Sequence, residues 1–297
     1  MKRNNLMHAK LFAIIAACLF GATTPFSKLL LSQIHPLVLV GLFGLGSGAV
    51  MLIIRLLQVG LFHTERIKVE LSKYYWLWLF GAMLTGGILA PVVLVYSLPR
   101  TSAATASILL NFESVSTTLF AAYLFKEKIG PRIWLAIILI TVASILLSVD
   151  WSSSWGISLS ALGVLLSTVF WGLDNNFTRN ISMKDPYSIV IVRGLVSGSS
   201  VLCFSIILGM PFPSSIYLVA AIMWGGLVYG IGLVLFILAI RDLGASRASA
   251  LLGTAPFLGA LFSFFVFWEL PAMQFVIALP FMVAGAYILL KEKHIAL

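Results

Sequence analysis

Phe20-Gly21-Ala22-Thr23-Thr24-Pro25-Phe26-Ser27-Lys28 returns about 150 residues later as Trp171-Gly172-Leu173-Asp174-Asn175-Asn176-Phe177-Thr178-Arg179. The register continues on both sides of the gap that follows. His35-Pro36 meets Asp185-Pro186, and Gly44-Leu45-Gly46-Ser47-Gly48 meets Gly194-Leu195-Val196-Ser197-Gly198. Gly81 and Gly86 meet Gly225 and Gly230, and Leu98-Pro99-Arg100-Thr101-Ser102-Ala103-Ala104 meets Leu243-Gly244-Ala245-Ser246-Arg247-Ala248-Ser249. A constant offset over so much chain marks an internal repeat. The 297 residues therefore divide into two copies, 1–150 and 151–297.

Composition says what each copy is made of. The chain is 61% hydrophobic and 10% charged, with a mean hydropathy of +1.07. Soluble domains carry about 45–50% apolar and about 25% charged residues. So few charges cannot cover a water-exposed surface. A soluble enzyme, a disordered chain and a secreted disulfide scaffold are excluded, which leaves an all-α integral membrane protein. Cys18 and Cys203 both lie in apolar runs and give no disulfide signature.

A bilayer core of about 30 Å needs about 20 apolar residues in a helix. Read this way, transmembrane helices are expected at 10–31, 36–57, 75–96, 102–125, 132–149, 156–178, 187–209, 216–240, 245–268 and 271–290. That is ten, five in each copy. The first follows Met1-Lys2-Arg3 and resembles a signal peptide at a glance, but its repeat in the second copy marks it as a retained helix.

Charge placement sets orientation. The net charge of +9 does not point to nucleic acid, because no basic helix or aromatic-basic platform exists. With the N-terminus inside, sixteen of the nineteen Lys and Arg fall on the inner side. Lys28 and Arg100 are outside, and Arg193 falls within a span. The positive-inside rule then places both termini in the cytoplasm, in a cytoplasmic membrane. Trp76, Trp78 and Trp134 serve as inner interface anchors, Trp151 and Trp155 as outer ones, and Trp171 lies mid-span.

Five helices per copy is an odd number, so the second copy must cross the membrane in the opposite sense. Two oppositely oriented copies imply a pseudo-two-fold axis in the membrane plane, a recurring plan of secondary transporters with substrate bound at the repeat interface. Exchange of conformations between the halves converts an inward-open state into an outward-open one. A channel or structural partner, and a multispanning membrane enzyme, are the competing readings. Non-saturating or absent flux marks the former; activity in detergent without a closed compartment marks the latter.

Each copy also ends alike. One reads Leu98-Pro99, small residues to Ala106, Leu109-Leu110-Asn111-Phe112-Glu113, then Glu127 and a final apolar helix. The other reads Leu243-Gly244, small residues to Ala250, Thr254-Ala255-Pro256, then Glu269 and a final apolar helix. This pattern resembles the EamA-type domain of the drug/metabolite transporter (DMT) superfamily, present twice over nearly the whole chain. The resemblance implies a ten-helix carrier with a cavity between its halves, moving amino acids or related small metabolites, often outward. Other branches move sugars, nucleotide sugars or phosphorylated metabolites, and the resemblance does not choose among them. The family's Glu-Pro pair is Glu113-Ser114 here, which removes the ring that would kink the fourth helix; the second copy keeps Pro256.

Ionisable residues in mid-membrane are costly and default to functional candidates. Here they are Glu113, Asp174 and Arg193. Asp174 and Arg193 flank the turn near Lys184 almost symmetrically, so adjacent helices place them at similar depth. They either recognise a charged substrate or cancel each other, and their repeat partners Thr23 and Phe43 carry no charge. Trp171, Asp174, Asn175 and Thr178 share one helix face, matched by Phe20, Thr23, Thr24 and Ser27. These faces are expected to be opposite cavity walls, the alternative being interhelical hydrogen bonding. Ser107, Asn111, Ser114 and Thr118 form a stripe on the fourth helix, mostly for packing, with Asn111 the functional candidate. Glu113 points about 200° away from Asn111 at 100° per residue and reads as structural. Tyr229 and Tyr96 are candidate aromatic walls, and the Gly44/Gly48 and Gly194/Gly198 pairs are close-approach motifs. The expected substrate contacts are Trp171, Asp174, Asn175, Arg193, Thr24, Asn111 and Tyr229.

The chain holds no P-loop and no clustered histidines, so neither a cofactor nor a metal is called for. The Asn176-Phe177-Thr178 acceptor triplet is a chance match at the inner face. The expected function is secondary transport of a small molecule by alternating access within the lipid bilayer, without enzymatic chemistry. A proton coupled through Asp174 or Glu113 and an uncoupled, gradient-driven carrier both fit, though a salt-paired carboxylate stays ionised. Oligomeric state leaves no mark in the sequence.

Overall fold

The computed structural model describes residues 2–62, 73–126, 129–149, 157–181, 185–243, 251–268 and 271–291. Trp151, Trp155, Glu127, Glu269, Lys184, Arg247 and most of the closing repeat match lie outside the described residues. Within them the chain is helical, with a single isolated bridge between Val149 and Ile157.

Among the described residues six stretches are long and apolar enough to cross a membrane: Met7–Leu30, Pro36–Gln58, Lys73–Arg100, Pro131–Ser148, Pro186–Ile207 and Ser215–Ala239. At 18 to 28 residues each they bracket the about 20 a bilayer requires. In chain order the helices are α1 (Lys2–Leu30), α2 (Pro36–Phe62), α3 (Lys73–Ala82), α4 (Ala90–Ser97), α5 (Ala103–Leu109), α6 (Phe112–Phe125) and α7 (Pro131–Ser148). Then come α8 (Leu159–Arg179), α9 (Pro186–Ile207), α10 (Ser215–Gly225), α11 (Leu233–Leu243), α12 (Ala255–Phe267) and α13 (Met273–Lys291). The 21-residue α8 matches a span in length, but Asp174, Asn175 and Asn176 lower its apolar character.

Helix starts follow local chemistry. Ser102 caps α5 by accepting from Thr105 N at 3.1 Å, Ser158 caps α8 and Asp185 caps α9, each satisfying an otherwise orphaned N–H. Pro131 and Pro186 open α7 and α9, where a missing N–H costs nothing. α6 and α12 both stop on a left-handed residue, Lys126 (φ 55°) and Trp268 (φ 52°).

Four expected helices are not continuous α-helix. The stretches 75–96 and 216–240 each carry a π-helical segment, Met83–Leu89 and Gly226–Gly232, at matching places in the two copies. The 102–125 stretch is interrupted at Leu110–Asn111, where Asn111 N bonds Ile108 O and Glu113 N bonds Leu110 O in tight turns. The interruption forms with Ser114 in the place of a proline. Its counterpart at Gly253–Thr254 precedes Pro256, and Thr254 N bonds Leu251 O in the same way. The ring is therefore not what breaks this helix in the first copy.

The α2–α9 seam explains the aligned glycines. A Cβ on Gly44 would lie 2.6 Å from Gly198 Cα, one on Gly48 2.6 Å from Leu195 N, and one on Gly194 2.5 Å from Gly48 N. The two glycine pairs face each other and let the backbones meet, as small residues do between membrane helices. Arg55 near the end of α2 reaches Asp185 at the start of α9 at 3.9 Å and lies over the Tyr187 ring, so the two helices run antiparallel.

The outside of the bundle is apolar. Ile53, Leu56, Ile138, Ile145, Ile207, Phe265 and Val276 are all more than half exposed, and Trp76 and Trp134 also face outward. Water does not tolerate such a contiguous surface; lipid does. The polar groups are turned inward, with Thr24, Asn111, Ser167, Asp174 and Asn176 buried.

Candidate functional site

α8 places two polar constellations side by side. The Arg193 guanidinium on α9 grips the Asp174 carboxylate with both arms, Nη1 to Oδ1 at 3.0 Å and Nη2 to Oδ2 at 2.6 Å. Thr178 Oγ1, one turn along α8, also donates to Oδ1 at 3.1 Å. The side chains keep 13% and 6% of their accessible surface. A planar fork meeting a carboxylate bidentately is the strongest geometry open to such a pair, and Asp174 and Arg193 thereby cancel each other's charge.

The first π segment covers this pair. A Cβ on Gly86 would collide with Asp174 Oδ2 and Arg193 Nη2, and one on Gly87 would meet Ser197 Oγ. Ser197 Oγ in turn donates to Met83 O at 3.3 Å. Glycine at both positions allows the backbone to lie directly on the ion pair. π segments are rare and concentrate at functional sites.

The second constellation lies between α8 and α6. Asn175 Nδ2 donates to Glu113 Oε1 at 2.7 Å and to Thr117 Oγ1 at 3.1 Å. Asn176 Nδ2 donates to Thr117 O and Gly172 O. Gly172 itself allows close approach to Ser116, whose Cβ would lie 2.6 Å from an added methyl. Asn176, part of the acceptor triplet, is thus buried and bonded within the bundle.

The expected polar face of α8 is divided between neighbours. Asp174 and Thr178 turn to Arg193, Asn175 turns to Glu113, and Trp171 packs against the apolar cluster around Leu109 and Val164. Four residues at i, i+3, i+4 and i+7 span roughly 100° of a helix, wide enough to serve two neighbours rather than one.

Thr24 and Asn111 lie elsewhere, where α1, α5 and α12 cross. A Cβ on Gly259 would lie 2.7 Å from Gly21 O and 2.8 Å from Ser107 Oγ. Thr24 is one turn from Gly21 and Asn111 one turn from Ser107. Thr24 Oγ1, Ser107 Oγ and Asn111 Nδ2 are buried without a hydrogen-bond partner. Such groups are uncommon and call for an explanation. Tyr229 belongs to a third place. It sits in the second π segment, its ring 5.7 Å from that of Phe43 and its hydroxyl near the side chain of Thr23, whose own Oγ1 donates to Leu19 O at 3.4 Å.

The end of the bundle that carries Lys28 is tied down separately. Lys28 Nζ donates to Thr101 O at 2.8 Å and sits 5.5 Å from the centre of the Phe267 ring. Nearby, a pocket of about 70 Å³ is lined by Ser102, Thr105, Ser263, Phe264, Pro271 and Phe275.

Sequence reasoning did not single out Gly86, Gly87, Thr117 or Ser107 as site residues, and it read Glu113 as structural. The Gly86-Gly87 pair inside a span was the available sign for the first two. Nothing in the spacing announces that Glu113 meets a residue 62 positions away.

Apolar surface outside and paired charges inside define a multi-pass α-helical membrane protein. The model of the EamA-like transporter family matches residues 7–149 and again 158–291, and the chain belongs to that family. An "uncharacterized transporter" of Methanothermobacter thermautotrophicus (strain ATCC 29096 / DSM 1053 / JCM 10044 / NBRC 100330 / Delta H) is 26% identical over 291 residues, 93% of this chain and 84% of that protein. One crystal structure is similar with a TM-score of 0.62, covering 94% of both chains at 17% identity, a likeness of fold alone. The protein is accordingly a membrane transporter.

Proposed function

We propose that this transporter is a secondary carrier that exports amino acids or related small metabolites across the cytoplasmic membrane by alternating access. Its ten membrane crossings form two oppositely oriented five-helix repeats, with the halves 1–150 and 151–297 and both termini in the cytoplasm. The sequence repeat supports this reading, as do the paired π segments, the paired helix interruptions and the paired left-handed stops at Lys126 and Trp268.

The observation that carries the substrate class is the makeup of the polar interior. A carboxylate at Glu113, an ion pair at Asp174–Arg193, and unpartnered donors and acceptors at Thr24 and Asn111 are assembled among apolar helices. A zwitterion offers matching ammonium and carboxylate groups. Trp171, Asp174, Asn175, Arg193, Thr24, Asn111 and Tyr229 are assigned as substrate contacts, reached in turn as the halves rearrange. A carrier of phosphorylated metabolites needs a cation free to hold phosphate. Arg193, the single cation well inside a span among the described residues, is already held by both oxygens of Asp174.

The test is uptake of a labelled amino-acid panel by protein reconstituted in liposomes. Saturable, stereoselective uptake is expected for some members. Uptake by folded Asp174→Asn and Arg193→Ala variants equal to wild type would remove those residues from the site. Uptake of sugars or phosphorylated compounds in place of amino acids would overturn the substrate class.

A further inference from the structure

Charge in the membrane interior does not balance. Of the three mid-span ionisable residues, Asp174 and Arg193 neutralise each other. Glu113 is left over. Its Oε1 accepts from a neutral amide, Asn175 Nδ2, and among the described residues its Oε2 accepts from nothing. It is half-buried, so it is neither sealed into the packing nor lost to lipid.

Among the described residues the surrounding elements offer no free countercharge. α6 itself contributes Thr117 at this level. α8 contributes Asn175 and, further round, Asp174, and α9 contributes Arg193 already held by Asp174. α5 carries no ionisable residue. The charge on α7 is Arg132, exposed in its first turn at the membrane edge. An ionised carboxylate without a cation is heavily disfavoured in such surroundings. Were Glu113 only a packing residue, glutamine would accept from Asn175 equally well without that cost.

The structure assigns to Glu113 the exchangeable positive charge of the transport cycle. This rests on the secondary-carrier reading above and deepens it. The ligand is a single cationic group seated on the Glu113 carboxylate, and two sources supply it, a proton or the substrate's own ammonium. In the proton case, water on one side gives a proton to Glu113 Oε2, forming the neutral acid. After the halves rearrange, that proton leaves to water on the other side as substrate travels the opposite way. No bond other than O–H is made or broken. In the ammonium case the carboxylate stays ionised and pairs with the substrate directly. Asp174, held in its bidentate bond, is not the exchanging residue in either case.

Infrared difference spectroscopy on the purified protein without substrate tests the assignment independently of what is carried. Acidification should raise a carboxylic-acid C=O band that is absent in Glu113→Gln and retained in Asp174→Asn. A band that persists in Glu113→Gln and vanishes in Asp174→Asn overturns the assignment.

Proteoliposomes then separate the two sources. In the proton case Glu113→Gln keeps exchange of internal for external substrate at equal pH within about threefold, while uptake driven by a pH gradient falls at least about tenfold. In the ammonium case both fall, KM for amine-bearing substrates rises at least about tenfold, and Glu113→Asp restores part of the loss. Glu113→Gln with unchanged KM and unchanged response to the gradient overturns the proposal. Should wild type carry nothing in the panel while the infrared band behaves as expected, the substrate class fails and the charge assignment stands. A folded state for each variant is established by size exclusion and the unfolding midpoint.

Discussion

Beneath the first π segment lies an ion pair, and beside the second lies a pair of rings. Met83–Leu89 rests on Asp174 of α8 and Arg193 of α9. Gly226–Gly232 holds Tyr229, which meets Phe43 of α2 and Thr23 of α1. The sequence register aligns Thr23 with Asp174 and Phe43 with Arg193, so these are matching places built from one plan. What differs is who fills the space against the π segment. In the first, Thr85 folds its hydroxyl back to Gly81 O and Gly86 leaves room for a carboxylate and a guanidinium. In the second, a tyrosine occupies the place aligned with Thr85 and supplies its own bulk. Duplication kept the backbone device and let its chemistry diverge, so that one π segment lies against charges and the other against rings.

The largest effect should come from unbalancing the charged half. Arg193→Ala leaves Asp174 buried and unpaired, a change that costs about 3–5 kcal/mol when one partner of a buried pair is removed. The thermal unfolding midpoint in detergent should fall sharply and uptake should be lost. Replacing both residues with leucine removes both desolvation costs, and such double replacements are often neutral or stabilising. Recovered stability without recovered uptake would mean the pair serves transport. Recovery of both would reduce it to packing and make the two halves functionally alike. Phe43→Ala, the matching truncation, creates a cavity instead, at about 3–5 kcal/mol if the site cannot collapse, and leaves no charge behind.

A sharper contrast uses the aligned glycines. Gly86→Ala drives a methyl into Asp174 and Arg193, and overpacking of this kind costs about 1–3 kcal/mol. Gly230→Ala meets Ser47 O at 3.2 Å and Met51 Cγ at 3.4 Å, contacts that a small shift relieves. Alanine's better helix preference, about 1 kcal/mol over glycine, offsets that crowding. The unfolding midpoint should therefore drop for Gly86→Ala and hardly move for Gly230→Ala. Equal drops would mean that both π segments are pinned by backbone contact alone.

How much of this is legible in sequence depends on the range of the interaction. The helical membrane class follows from composition, and the facing of Gly44/Gly48 with Gly194/Gly198 from an alignment of the chain with itself. Asp174 and Arg193 meet because a short turn fixes their relative depth, which spacing reports. The π segments escape because a residue inserted in a helical turn leaves no compositional mark; Gly86-Gly87 and Gly225-Gly226 read as ordinary small-residue packing. The interruption before Glu113 escapes for the opposite reason, since attention rests on the absent proline while the turn at Leu110–Asn111 forms without it. The Glu113–Asn175 contact depends on which face of α6 meets α8. That is decided by Gly172 receiving Ser116, a tertiary fit that no local pattern encodes.

The smallest expected change separates binding from packing on the aromatic wall. Tyr229→Phe keeps the ring and its contact with Phe43 and removes the hydroxyl near Thr23. Even a hydroxyl that makes a hydrogen bond contributes only about 0.5–1.5 kcal/mol net, so the unfolding midpoint should shift only slightly. Thr23→Val removes the neighbouring hydroxyl, and the double variant tells whether the two hydroxyls act as one unit. If the tyrosine hydroxyl touches substrate, KM rises several-fold in Tyr229→Phe while Thr23→Val leaves KM near wild type, because only the former loses the group facing the solute. If KM moves equally in both, the two hydroxyls serve to hold the second π segment in place. If neither moves, the aromatic wall only fills space, and recognition rests with the charged half.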